Sequence, residues 1–160
     1  MTMEPKEKYY GTPMSEWIAS IPYELDDIGV GLHSIVPDGR IGFELEGEDL
    51  INFIRRVIHA LLEKGAKPVV AADDGVHYWR VETKYGDDPE GIADGVIKDW
   101  LAAGGKDPEW GEYWFALPHT YEAKKSIETK THDENYDIIE IIKSDDPIFR
   151  PGFKIIRDND

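Results

Sequence analysis

The sequence predicts an α+β domain, an antiparallel sheet with two amphipathic helices on one face, ferredoxin-like (split βαβ) over about residues 40–117, with additions at both ends. Three observations carry that reading. Ile41, Phe43 and Leu45 alternate with Gly42, Glu44 and Glu46, a period of two that gives a strand one dry and one wet face. Leu50, Phe53, Ile54, Val57, Ile58 and Leu61 recur at helical spacing, and so do Ile92, Ala93, Val96, Ile97, Trp100 and Leu101. Between and after those helices lie apolar runs bounded by turn residues, at 68–72, 76–83 and 112–117.

Each element has its own local signals. Residues 1–11 are polar, lack periodicity and read as loose. Thr12-Pro13 has the form of a helix N-cap followed by proline at the first helical position, and Trp17, Ile18 and Ile21 give the short helix after it an apolar side. Residues 28–36 hold β-branched side chains and glycines and lead into Pro37-Asp38-Gly39, a turn sequence, so 28–36 and 41–46 are expected to pair as a hairpin. That hairpin competes with the split βαβ order for places beside strand 41–46. The long helix should run from about Glu48 to Lys64, with Gly65 as its C′ residue and Pro68 preventing continuation. Asp74-Gly75 is a type I′ hairpin signal between strands 68–72 and 76–83. Asp88-Pro89 should cap the second helix, and Gly104-Gly105 should stop it. Gly95 within it costs ~1 kcal/mol relative to alanine, a cost consistent with close packing on the sheet. A short helix near 121–127, a late strand at 138–142 and a last one near 153–156 complete a single domain over 1–160, with its core in 12–156.

Composition narrows function without naming it. The chain has 160 residues, 41% hydrophobic and 32% charged, too apolar for a disordered chain and too charged for a membrane protein. Residues 1–20 lack the apolar centre of a signal peptide, so a cytoplasmic location is expected, with no membrane partner. With no cysteine there is no disulfide, thiolate metal site or cysteine nucleophile. The net charge of −15 is spread evenly: residues 1–39 hold 2 basic and 7 acidic side chains, and 40–103 and 104–160 hold 8 and 13 each. Such a surface repels nucleic acid and attracts a basic protein, although solubility alone is also a sufficient reason for it.

No catalytic signature stands out. The five histidines include no pair at metal-binding helical spacing, and His132-Asp133-Glu134 reads as a solvated loop. The aspartate pairs at 73–74, 87–88 and 145–146 precede glycine or proline and read as turns and caps. Gly29-Val30-Gly31 is too short for a dinucleotide-binding loop. No cofactor is expected. The candidate binding surface is the sheet face away from the helices. Trp79 and Val81 would pack toward the helices, leaving Tyr78, Arg80 and Glu82 beside Glu44 and Glu46 on the other face. A second cluster, Trp110, Tyr113, Trp114 and Phe115, exceeds what one strand face needs, and Trp110 and Trp114 join the candidate binding residues. A solvated face with cross-strand charge pairs is the plainer reading of the same carboxylates.

Three function classes remain. The first is a small acidic binding module, of the inhibitor or immunity type, that neutralises a basic partner. The second is an enzyme or small-molecule binder using Glu44, Glu46, His77 or Asp73 in a pocket at the sheet. The third is an oligomeric structural subunit joined through a sheet edge or the aromatic segment.

Overall fold

A computed structural model describes residues 4–125. The strands expected at 138–142 and 153–156, and the loop at 132–134, lie outside the described residues. The described part is mixed helix and strand, with a four-stranded antiparallel sheet. In chain order its elements are α1 (Met14–Ser20), a 3-10 helix (Ile21–Asp26), β1 (Val30–Gly31), α2 (Leu32–Pro37), a π-helical turn (Asp38–Gly42), α3 (Gly47–Glu63), β2 (Lys67–Ala71), β3 (Trp79–Val81), α4 (Pro89–Ala102), β4 (Trp114–Ala116) and α5 (Pro118–Tyr121).

The two long helices form where their apolar stripes place them. All six stripe residues of α3 are buried, Phe53 and Val57 almost completely, and each contributes ~1.5–3 kcal/mol before entropy costs. Gly65 follows α3 at φ +107°, the left-handed conformation that ends helices. At the start of α4 the Asp88 carboxylate accepts the Gly91 amide at 2.9 Å and Pro89 occupies the first turn. Ile92, Ala93, Val96, Ile97 and Trp100 are buried, whereas Leu101, expected in the stripe, is 46% exposed. The buried faces of α1, α2, α3 and α4 share one core with Val30 and Phe115 of the sheet.

The hairpin expected from 28–36 and 41–46 does not form. Leu32, Ile35 and Val36 are buried at helical spacing, and they build α2 instead of a strand. Pro37 cannot donate a backbone hydrogen bond, and the chain widens after it into the π turn, in which the Phe43 amide donates to the Asp38 carbonyl at 3.1 Å. Gly39 permits this path, since a Cβ there would stand 2.7 Å from the Phe53 ring. Residues 41–46 are therefore not a strand, and Glu44 has φ +56°.

The split βαβ topology is accordingly not confirmed. The strand order is β1-β4-β2-β3, every pairing is antiparallel, and the outer position beside β4 belongs to Val30–Gly31. The β2–β3 hairpin also differs from expectation. Its register, Ala71 opposite Trp79, excludes a two-residue Asp74-Gly75 turn. The Asp74 carboxylate instead accepts the amides of Val76 and His77, both at 2.8 Å, and organises a longer loop. The described part of the segment read as loose, residues 4–11, makes specific bonds: buried Glu7 accepts the amides of Tyr9 and Tyr10 at 2.9 and 2.7 Å, and the Lys8 amide donates to the Gly42 carbonyl.

Candidate functional site

The phase of one short strand decides which side chains line the site. In β4, Phe115 enters the helix-side core, so Trp114 and Ala116 must stand on the opposite face of the sheet. Val69 pairs with Trp114, and Val81 with Val69, so Val69, Val81 and Trp79 share that face. The sequence-based assignment of β3 is thus reversed. Trp79 packs away from the helices, and Arg80, opposite Val70, belongs to the helix-side face at its exposed margin.

Trp114 organises this second face. Its ring is 2% exposed and lies between two flat partners: Trp79, with centroids 5.5 Å apart and planes 5° apart, and His33, at 5.1 Å and 23°. Burial holds the His33 pKa below its usual value, so the imidazole is biased toward the neutral form against the indole. The ring needs bare backbone beneath it. A Cβ at Gly31 would lie 2.1 Å from Trp114 Cε3, and one at Gly29 2.5 Å from its Nε1. Gly29-Val30-Gly31 is therefore the seat of a tryptophan.

The third indole is left outside. Trp110 packs on Trp114 at 4.7 Å and on Trp79 at 5.8 Å, yet it remains 59% exposed. A cavity of about 490 Å³ opens beside it. Its apolar lining is Ile28, Ala71, Tyr78, Trp79, Trp110 and Ala123, and Asp27, His119 and Thr120 complete it. Helix α5 is tied to the opposite side by His119, whose Nε2 donates to the Asp26 carbonyl at 3.0 Å. Lys124 pairs with His77 through a backbone bridge near the same end of the hairpin.

Of the seven residues predicted to bind, only Tyr78 and Trp110 line this cavity, and Trp114 supports its wall from beneath. The others do not converge with them. Glu44 is exposed, with its carboxylate 3.7 Å from Lys8 Nζ; Glu46 flanks the start of α3; and the Glu82 carboxylate accepts the Lys84 amide at 3.0 Å. Sequence reasoning missed Trp79, Ile28, Asp27 and Thr120. The available signal was the pair of glycines around Val30, which marks a close approach by a large ring.

A second cavity, of about 630 Å³, lies on the helix side between β2, β4 and α4. Its polar centre is Asp99, which accepts the Tyr85 hydroxyl at 2.7 Å and lies 3.2 Å from Lys84 Nζ. Burial, and then the bond to Asp99, push the Tyr85 hydroxyl well above the ordinary tyrosine pKa, while the Tyr85 and Lys84 bonds hold Asp99 below the usual carboxylate range. The proton stays on Tyr85 and the charge on Asp99, so these groups satisfy one another. Gly95 is explained here. A Cβ on it would meet the Tyr85 ring at 2.4 Å, so the bare position on α4 seats a tyrosine, not a strand. Glu44, Glu46, Asp73 and His77, the acid–base candidates, line neither this cavity nor the aromatic one. Among the described residues no group of three histidine, aspartate or glutamate side chains is arranged to hold a metal ion, and no helix is long and apolar enough to cross a membrane. The chain matches no protein-family model, no curated protein and no solved structure.

Proposed function

We propose that the protein is an acidic binding module that holds a basic partner protein, with the tryptophan-walled groove as its anchor. The observation that carries this reading is Trp110, a large indole 59% exposed at the mouth of an apolar groove, on a chain of net charge −15. Exposed tryptophan and tyrosine beside a dry pocket are the side chains on which binding energy concentrates. The magnitudes divide the work. An apolar side chain buried in the groove gains ~1.5–3 kcal/mol, whereas an exposed ion pair gains about 0–1 kcal/mol and is screened by salt. The groove therefore sets affinity, and the dispersed carboxylates speed encounter. A cytoplasmic setting and an inhibitor-type role belong to the same proposal. Like charge opposes the alternative of a second copy docking on this face.

Capture from the native lysate tests it, with wild type compared against Trp110→Ala. The wild type should retain a basic protein, captured more slowly as salt is raised but still held, and Trp110→Ala should retain much less. Equal retention by the variant, or capture only of acidic proteins, contradicts the proposal.

A further inference from the structure

The rings of the groove suit a positive charge as well as apolar area. Trp79, Trp110 and Tyr78 all line it. Trp79 is held in the stack on Trp114, and the plane of Trp110 is tilted 43° from that of Trp79, so these two indoles make a corner rather than a parallel stack. Tyr78 and Trp110 are 52% and 59% exposed, so two of the three rings are open to an incoming group. The face of an aromatic ring carries partial negative charge and attracts a cation, and an indole does so most strongly. The formal charge in the lining has the same sign. Asp27 lines the cavity, no lysine or arginine does, and among the described residues none pairs with Asp27. His119 is already engaged through its bond to the Asp26 carbonyl.

We propose that the groove receives the methylated ammonium of a lysine side chain, carried on a basic segment of the partner and held against the rings of Trp79, Trp110 and Tyr78. This rests on the reading of the protein as a binding module for a basic protein. Three rings and a carboxylate, with no lysine or arginine among them, select a positive occupant over a neutral apolar one. The rest of the lining selects the kind of cation. Ile28, Ala71 and Ala123 offer no polar side chain, so a lysine ammonium or a guanidinium would give up water for walls that return few hydrogen bonds. A trimethylammonium carries the same charge, has no N–H to satisfy and turns methyl groups to the rings. The net charge of −15 selects the source. A segment with several positive charges gains from that field at each of them, whereas a free quaternary amine gains once.

The test uses the full chain and the capped peptide Ala-Lys-X-Lys-Ala, with affinity measured by calorimetry. X is trimethyllysine, its neutral isostere with a tert-butyl group in place of the trimethylammonium, or lysine; tetramethylammonium serves as the free cation. Wild type should bind the trimethyllysine peptide roughly tenfold more tightly than either other peptide, and more tightly than tetramethylammonium. Trp110→Phe keeps a ring with a weaker charge on its face and should reduce the preference for the charged peptide over its isostere. Asp27→Asn, at an exposed position, should reduce it too. Equal affinity for the charged and neutral peptides in wild type overturns the inference and leaves the binding-module reading standing. Lysine bound as tightly overturns the requirement for methyl groups, and tetramethylammonium bound as tightly overturns the basic segment. A preference unchanged in both variants places the cation outside the groove and overturns the inference as well. If no peptide binds, the inference fails, and the binding-module reading fails with it only if Trp110→Ala still captures the basic partner.

Discussion

The two faces of the sheet are closed in different ways. On the helix side, Phe115 and Val30 meet the stripes of α3 and α4, and the contact is made of many aliphatic side chains that interlock. On the other side a small cluster of Val69, Trp79, Trp114 and Ala116 is closed by ring stacking, and its last ring, Trp110, is left in water. The first face is built to be stable. The second has a buried floor and an exposed margin, and it is on that margin that the proposed binding rests.

Substitutions that break one face should leave a signature different from those that alter the other. The largest effect is expected on the helix side: Phe53→Ala, at a residue 1% exposed, should lower unfolding free energy by about 3–5 kcal/mol in urea denaturation. Gly31→Ala comes next. It forces a methyl to 2.1 Å from Trp114, so a loss of about 2–3 kcal/mol is expected, together with a shift in the near-ultraviolet circular dichroism of the stacked indoles. Gly47→Ala serves as a control for backbone strain, because nothing lies within 4 Å of a Cβ there, and it should cost about 1 kcal/mol.

An effect of comparable size but opposite sign concerns Asp38, which meets Trp17 of α1. Burial raises its pKa to about 6, against the Trp17 indole, which donates to its carboxylate at 3.3 Å; Glu24 and Glu7 add repulsion. Its folded pKa lies above the unfolded value of 3.8, so the folded state binds the proton more tightly. The stability this contributes is fully present below pH 3.8 and is lost as pH rises through about 6. Asp38→Asn should therefore raise stability above pH 7 by ~1–2 kcal/mol and flatten that part of the pH profile. Loss of stability in the variant at high pH would show that the carboxylate is needed in its charged form. The smallest effect on folding is expected for Trp110→Ala. Its half-exposed ring should cost at most about 1 kcal/mol, although it removes the wall of the groove.

The sequence announced one face far better than the other. Long stripes such as Leu50 to Leu61 declare themselves because six burials agree on one period. Helix α2 was hidden because it is only six residues long, and its β-branched and glycine-flanked residues imitate a strand. The face of β3 could not be read from β3, since an alternating strand fixes period but not phase. The phase comes from β4, through Phe115, and reaches β3 by pairing across β2. Tyr78 and Trp110, which line the groove, were singled out from the sequence as a ring on the sheet face away from the helices and as part of a dense aromatic cluster. Thr120 and Asp27 were not, because only the fold brings residues so far apart in sequence to one cavity.

The proposed division of labour between the two faces is tested most directly by one paired measurement on Trp110→Ala: its unfolding midpoint, and its affinity for the basic partner captured from the native lysate. The account predicts a midpoint close to that of wild type and an affinity at least roughly tenfold weaker, the loss of one aromatic wall. An unchanged affinity, or a fall in stability as large as that of Phe53→Ala, would contradict it.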